Sequence, residues 1–381
     1  MDFDLQWLLL GLPLAFALGW LASRFDLRQW RREQKDSPKA YYKGLNLLLN
    51  EQHDKAIDAF IEAVQQDPDT SELHFALGNL FRRRGEFERA VRVHEHLLHR
   101  ADLARSERER AQHALAQDFM KAGLLDRAEA AYQALDGSAF DTEARLALLS
   151  LHERSRDWRA AVEVAQKLEH RGTGSFASRI AHYWCEIALE ADARHQGEEA
   201  DAAVQRAREA APQAARPLVL AGERASRRGA HSEVLSLWGV LMVAHPLAFN
   251  LIARAYAASA IACGEQAAAF DRLLDLYRRT PTMDLLAALA LLDPDPARAG
   301  ERLLAHLREH PTLTAAQAVL TQRDTASPAD LEALRDAVGR AAQPLQRYRC
   351  AACGFEAQHY FWQCPGCLSW DSYPPQRLED L

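Results

Sequence analysis

The sequence predicts an all-α protein with an apolar anchor at its amino end and a small metal-binding module at its carboxyl end. Three observations support this prediction: an uncharged apolar run near the start, helical segments that recur about every 34 residues, and four cysteines close together near the end. Hydrophobic residues make up 48% and charged residues 26% of the 381 residues, which is the composition of a folded protein. Strand-like alternation does not persist, so the body is expected to be helical.

The apolar run covers residues 5–22 and contains no charged side chain. As a helix it would be about 27 Å long, just enough to cross a bilayer, and Trp7 and Trp20 would lie at the two interfaces. A cleaved signal peptide begins with basic residues, whereas this chain begins with acidic ones. A buried core helix is the other alternative. We predict that residues 1–23 are a single transmembrane anchor.

Residues 24–37 follow as a basic juxtamembrane linker. Its basic side chains are Arg24, Arg28, Arg31, Arg32 and Lys35. Since basic residues stay on the cytoplasmic side of a membrane, we expect a periplasmic amino terminus and a cytoplasmic body. The linker is short, so the body would be held near the bilayer surface.

Residues 38–312 show internal repetition, because Gly44 recurs as Gly78, and Pro212 as Pro246, at a spacing of 34. The first copy has the small residues, aromatic wedge and terminating proline of a tetratricopeptide helix pair: Gly44, Leu47, Ala56, Phe60, Ala63 and Pro68. We predict about eight such pairs, stacked into a superhelix whose groove binds peptides or proteins. The break around Gly172 is interpreted as a loop between repeats.

Residues 313–344 are predicted to contain a capping helix and a connector to the last module. Ser327 can cap a helix that starts at Pro328 and stops near Pro344.

Residues 345–381 hold the metal-binding module, in which two C-x2-C pairs supply four ligands: Cys350, Cys353, Cys364 and Cys367. Two such turns close a tetrahedral all-sulfur site that suits one zinc or iron ion. The alternatives are disulfides or a C-x-x-C redox pair, and a disulfide needs an oxidising compartment. The module is short, so metal ligation is expected to supply much of its folding energy.

Four aromatic residues of the module are expected to dock it against the repeats, although a partner protein could use the same surface. They are Tyr360, Phe361, Trp362 and Trp370. We favour docking because the module needs external burial to be stable.

No catalytic residues emerge from the sequence. His94, His96 and His99 lack the spacing of a helical zinc pair, and His94 occupies a packing position of the second repeat. Cys185 and Cys263 are interpreted as core thiols. Nucleophile-elbow, Walker A and dinucleotide-binding motifs are absent from the sequence. The net charge of −7 gives no support for binding nucleic acid. We predict a protein that is not an enzyme.

The order of anchor, repeats and four-cysteine tail resembles the lipopolysaccharide assembly protein B (LapB) family of Gram-negative inner-membrane proteins. The segments YRCAACGF and YFWQCPGCLSWDS carry the most specific part of the resemblance. The resemblance implies a rubredoxin-type metal domain with Cys350, Cys353, Cys364 and Cys367 as ligands. Leu368 departs from rubredoxins, which have Gly there, and the loop between the cysteine pairs is shorter.

For function, the resemblance implies an adaptor between the membrane protease FtsH and the lipid A deacetylase LpxC. This adaptor promotes degradation of LpxC and so regulates lipopolysaccharide synthesis. Further implied partners are lipopolysaccharide export proteins and an inner-membrane regulator. A rubredoxin-like redox or iron-sensing protein anchored in the membrane is the alternative. The sequence leaves open whether the metal is iron or zinc and whether the array forms a homodimer.

Overall fold

The computed structural model describes residues 15–20, 42–293, 295–310, 312–322, 335 and 338–380. The predicted anchor and linker lie outside these residues, apart from residues 15–20, which are helical. Most of the predicted capping helix also lies outside them, apart from a helical stretch over residues 338–342. Within the described part of the chain, no helix is both long and apolar enough to span a membrane.

The chain divides into two compact units, Met1–Ser155 and Arg156–Leu381. The described helices of the first unit are α1 (residues 42–49), α2 (His53–Gln66), α3 (Ser71–Arg83), α4 (Phe87–His99), α5 (Arg105–Ala122), α6 (Leu125–Gln133) and α7 (Asp141–Ser155). Consecutive helices pack against each other from α2 to α7, as expected for helical repeats.

The second unit continues the helical pattern and ends in a two-stranded ribbon. Its helices are α8 (Trp158–His170), α9 (Ala177–Ala193), α10 (Gly197–Ala210), α11 (Ala215–Arg227), α12 (His231–Ala244), α13 (Pro246–Phe249), α14 (Ala253–Cys263), α15 (Gln266–Arg279), α16 (Met283–Leu292), α17 (Pro296–Glu309) and α18 (Leu313–Gln322). The strands are β1 (Tyr348–Arg349) and β2 (Glu356–Ala357). Apart from the four-residue α13, sixteen helices follow one another from α1 to α17 in the described part of the chain.

A glycine on the first helix of three pairs lies against a large ring sixteen residues later on the second helix. These contacts are Gly44 with Phe60, Gly78 with His94, and Gly222 with Trp238. A Cβ atom added at Gly44 would lie 2.8 Å from the Phe60 ring, which is closer than real Cβ contacts. The helices therefore approach to a distance that only glycine allows, which gives a physical reason for the recurrence of Gly44 as Gly78.

Ala56, Phe60 and Ala63 of the first copy are buried, and so are the residues that pack the later helix pairs. The buried residues include Ala56, Phe60, Ala63, Leu77, Phe81, Ala90, Leu97, Phe119, Ala128, Tyr132, Ala161, Leu168, Ala200, Ala207, Trp238, Tyr256, Ala269 and Leu273. Trp184 is only half-buried, and the guanidinium of Arg206 lies 4.7 Å from the centre of its ring. A cation above the ring face stabilises this partly exposed indole.

His94 is a structural residue, as predicted. Its side chain is fully buried, and its Nδ1 lies 2.6 Å from Oδ2 of Asp118, which is also fully buried. Arg82 Nη1 donates to the other carboxylate oxygen of Asp118 at 2.8 Å. His96 instead stacks on His74 with ring centres 5.5 Å apart. His94 and His96 therefore have separate partners, Asp118 and His74.

Gly172 and Gly174 lie in the loop between α8 and α9, where both have positive φ angles. The interpretation as a loop between repeats is therefore confirmed. The predicted core thiols differ: Cys185 is fully buried, whereas Cys263 is partly exposed. Burial raises the pKa of the Cys185 thiol to about 12, so it is uncharged and inert at neutral pH.

The close helix approach at Gly222 gives a first prediction. The substitution Gly222→Ala should lower the free energy of unfolding by about 1–3 kcal/mol, because the added methyl group would overlap the buried Trp238 ring. Gly239→Ala in α12 is the matched control, since no atom lies within 4 Å of its added Cβ. The control should gain about 0.5–1 kcal/mol from helix propensity. Denaturant unfolding of both variants measures the difference, and equal midpoints would contradict the packing account.

Candidate metal centre

The carboxyl-terminal ribbon is built from two short hairpins. Strands β1 and β2 pair antiparallel, with Tyr348 opposite Ala357, and they flank the first C-x2-C turn. A single bridge between Gln363 and Trp370 flanks the second turn. Each cysteine pair therefore lies at the tip of a hairpin, where its backbone is held by cross-strand hydrogen bonds.

The two turns share one backbone geometry. The N–H of Gly354 donates to the carbonyl of Cys350 at 2.9 Å, and the N–H of Leu368 donates to the carbonyl of Cys364 at 2.8 Å. Gly354 has φ 77° and Leu368 has φ 59°, so both lie in the left-handed region. This region costs a residue with a side chain about 1–2 kcal/mol. The departure noted in the sequence, Leu368 in place of Gly, is therefore a strained position.

The structure brings the four predicted cysteine ligands together, with all Sγ atoms within 4.8 Å of one another. The Sγ atoms of Cys350 and Cys367 are 3.8 Å apart, and those of Cys353 and Cys364 are 3.7 Å apart. A tetrahedral ion with metal–sulfur bonds of about 2.3 Å requires sulfur–sulfur distances of about 3.8 Å. All four thiols are free, so the arrangement fits one tetrahedral metal ion and is not a pair of disulfides.

Hydroxyl groups lie next to the sulfurs. Ser372 Oγ is 3.2 Å from Cys350 Sγ, and Ser369 Oγ is 3.4 Å from Cys367 Sγ. Burial raises the pKa of the Cys350 thiol, but hydrogen bonding to Ser372 and to backbone N–H groups outweighs it and lowers the pKa to about 6. Hydrogen bonds to Ser369 likewise lower the pKa of Cys367. These groups favour the thiolate form, which is the form that binds metal.

The sulfurs also oppose one another's ionisation. The backbone N–H of Phe355 lowers the pKa of Cys353, but desolvation and hydrogen bonding with the other three cysteines raise it to about 12. Four thiolates this close cannot all carry negative charge unless a cation lies among them. Metal binding must therefore release protons, and the affinity of the site for metal should rise with pH.

The ribbon contains a small buried cluster of aromatic and cysteine side chains. Tyr348 and Tyr373 are buried together with Cys350 and Cys364. Of the four aromatic residues expected to dock, Tyr360 and Phe361 pack into this ribbon core. Their ring contacts are with Tyr348, Trp362 and Tyr373 of the ribbon itself, so their main role is inside the module.

Trp370 and Asp371 fix the ribbon to helix α9. The ring of Trp370 stacks on the imidazole of His182, with centres 4.6 Å apart and planes 20° apart. The carboxylate of Asp371 lies 2.8 Å from His182 Nε2 and accepts from Ser178 Oγ at 3.1 Å. Burial raises the pKa of Asp371, but the hydrogen bond to His182 outweighs it and lowers the pKa, so the carboxylate is charged. The predicted docking of the module on the repeats is confirmed.

Arg216 of α11 extends the same contact. Its guanidinium lies 5.9 Å from the ring centre of Trp362 and 5.8 Å from that of Trp370. It also donates to Oε1 of Glu186 at 2.6 Å, so the buried charge has a partner.

The carboxyl-terminal tail adds polar contacts with the array. The carboxylate of Glu379 accepts from the backbone N–H of Thr314 at 3.3 Å and also binds its hydroxyl. Arg377 Nε lies 3.7 Å from Asp284 Oδ2. The ribbon is thus held to the helices of the second unit on several sides.

Sequence reasoning identified the four cysteines but not the array residues that hold their module: Ser178, His182 and Arg216. His182 lies 189 residues from its partner Asp371, so spacing carries no signal for the pair. The one available signal was a histidine in IAHYWCEIAL, the mostly apolar middle of α9. The hydroxyls of Ser369 and Ser372 could have been found, because they follow the second cysteine pair directly.

Comparisons with known proteins show what this chain is similar to. A family described as "Rubredoxin metal binding domain" matches residues 348–374. Lipopolysaccharide assembly protein B of Escherichia coli K12 is 31% identical over 388 residues, which cover 98% of each chain. Lipopolysaccharide assembly protein B of Haemophilus influenzae is 28% identical over 97% of this chain and 98% of its own. Among solved structures, the Naa15/Naa10 complex bound to HypK-THB aligns with 75% of this chain and 46% of its own, at 15% identity and a TM-score of 0.42.

The four-sulfur geometry predicts that all four cysteines are needed to bind the metal ion tightly. We expect Cys364→Ser to weaken metal binding by more than about 100-fold, because even residues that only support metal ligands contribute 10–100-fold. The ribbon should then lose its resistance to protease. Metal analysis and limited proteolysis measure both effects, with Cys263→Ser in α14 as the control. Unchanged metal content and protease resistance in Cys364→Ser would contradict a structural metal.

The strain at Leu368 predicts a stabilising substitution. Leu368→Gly should raise the stability of the metal-loaded ribbon by about 0.5–1 kcal/mol, since relief of the left-handed strain exceeds the entropic cost of glycine. Leu368 is 45% exposed, so little apolar burial is lost. Gly354→Leu at the equivalent position should lower stability by about 1–2 kcal/mol. Denaturant unfolding compares the two variants, and shifts of the same sign would rule out the strain account.

Proposed function

The chain belongs to the lipopolysaccharide assembly protein B family, and from this premise we propose that it is an inner-membrane adaptor that regulates lipopolysaccharide synthesis. In this proposal its client is the lipid A deacetylase LpxC, which it presents to the membrane protease FtsH for degradation. Lipopolysaccharide export proteins and an inner-membrane regulator are its further proposed partners.

The observation that supports this role most is the chemistry of the metal centre. Four protein sulfurs supply all the corners of a tetrahedron, which leaves no open position for a substrate or an activated water. The ribbon is also packed on the array through Trp370 and Asp371. A closed metal site fixed to helical repeats is suited to making protein contacts, and repeat arrays commonly bind proteins along their surfaces.

The proposed location follows from the first residues of the sequence. We propose that residues 1–23 cross the inner membrane once, with a periplasmic amino terminus and a cytoplasmic body. Tethering would raise the effective concentration of the array near membrane partners such as FtsH. The short basic linker over residues 24–37 would keep that concentration high.

A second candidate is a redox or iron-sensing role for the same centre. It is favoured by the exposure of Cys353 and Cys367, which places two of the four sulfurs at the ribbon surface. Iron with reversible one-electron reduction in the purified protein would support this candidate. Zinc without iron would eliminate it.

The adaptor proposal predicts that depleting the protein lengthens the half-life of LpxC several-fold, because the protease would lose the contact that delivers its substrate. Pulse-chase immunodetection of LpxC measures this half-life. The full chain supplied in trans should restore rapid turnover, whereas a chain without residues 1–23 should not. A half-life that depletion leaves unchanged would refute the adaptor role.

A further inference from the structure

Residues 369–373 of the ribbon make contacts with two different parts of the structure. Ser369 and Ser372 lie beside the cysteine sulfurs, whereas Trp370 and Asp371 contact helix α9. One segment of five residues therefore touches both the metal ligands and the array.

The backbone of this segment is bonded directly to the two cysteine turns. The carbonyl of Ser369 accepts from the N–H of Cys364 at 2.9 Å. The carbonyl of Ser372 accepts from the N–H of Ala351 at 2.7 Å, and Ala351 follows Cys350. A displacement of the segment would therefore move the backbone of both buried cysteines, Cys350 and Cys364.

Contacts from the array, together with hydrogen bonds inside the ribbon, hold the conformation of the segment. Asp371 has φ 51°, which is a left-handed value. Aspartate adopts this conformation more easily than most residues, but it is still strained and persists only when neighbouring groups hold it. His182 and Ser178 supply that support by hydrogen bonding to its carboxylate. The imidazole is itself fixed, because Trp370 stacks on its face and Arg216 Nη1 lies 3.4 Å from its Nδ1. His182 is 2% exposed, so water does not compete for its nitrogens.

We propose that His182, a residue of the repeat array, is a positioning residue for the metal site. It acts through Asp371 on the segment 369–373 and so sets the positions of the Cys350 and Cys364 sulfurs. Because such coupling is reciprocal, an ion bound by the cysteines strengthens the contact between ribbon and array by the same factor. This role concerns the metal site itself and does not depend on which client the array binds.

The test measures the zinc affinity of the full chain by competition with a chelator of known affinity. We expect His182→Ala to weaken zinc binding about tenfold, within the range usual for coupling between two sites. His182→Gln keeps an N–H donor for Asp371 and should restore most of the affinity. His170→Ala in α8 is the matched control, since its exposed imidazole contacts the carbonyl of Gln166. That control should bind zinc as the unmodified chain does.

Two further measurements separate positioning from a general loss of structure. Asp371→Asn keeps the shape and the left-handed conformation but removes the charge, so it should weaken zinc binding several-fold. The visible spectrum of the cobalt-substituted protein should change in His182→Ala, because the thiolate geometry around the ion is altered, and should not change in His170→Ala. Circular dichroism verifies that the helices are retained. If His182→Ala does not fold, the zinc affinity of Asp371→Asn alone tests the proposal.

Two results would overturn the proposal. The first is a zinc affinity and a cobalt spectrum of folded His182→Ala that equal those of His170→Ala. The second is an Asp371→Asn variant with the affinity of the unmodified chain, which would show that the link from the array to the cysteines does not run through this carboxylate.

Discussion

The small size of the ribbon is the constraint on which the carboxyl-terminal structure depends. The matched module covers residues 348–374, which is too few to bury an independent hydrophobic core. Its buried cluster contains two tyrosines and two cysteines, supported by a leucine from the array, Leu251. The remaining stability must come from metal–sulfur bonds and from burial against the helices. The ribbon therefore needs its docked position in order to fold stably.

The array meets this need with polar as well as apolar groups. His182 and Arg216 are almost fully buried, and each has hydrogen-bond partners on the array or on the ribbon. Burying such groups is costly when they lack partners, so the contact is favourable only in one arrangement of the ribbon. On a purely apolar surface the ribbon could bind in several positions, whereas the pair of His182 and Asp371 specifies both its position and its orientation. The depressed pKa of Asp371 agrees with a carboxylate that is held in one place by its donors.

Apart from the docking of the ribbon on the array, the features that the sequence predicted correctly are local in the chain. The spacing of Cys350 and Cys353, and of Cys364 and Cys367, fixes each turn within four residues. The contact between Gly44 and Phe60 spans sixteen residues of one helix pair and recurs at Gly78. The missed features join distant parts of the chain, such as His182 with Asp371 or His94 with Asp118. A buried polar residue signals in sequence that it needs a partner, but the identity of the partner depends on how the helices are stacked.

The strained residues lie where the local and distant constraints meet. Leu368 ends the second cysteine turn, and Asp371 lies in the contact with the array; both have left-handed backbones without being glycine. The turn requires the conformation at Leu368, as the hydrogen bond from its N–H to Cys364 shows. The N–H of Asp371 donates instead to the carbonyl of Trp362, and not to a cysteine. Strained backbone persists only where the surroundings hold it. At Leu368 the support is the second cysteine turn. At Asp371 it is the hydrogen bond to Trp362 together with the array, so the short stretch between the two residues connects the cysteines to the helices.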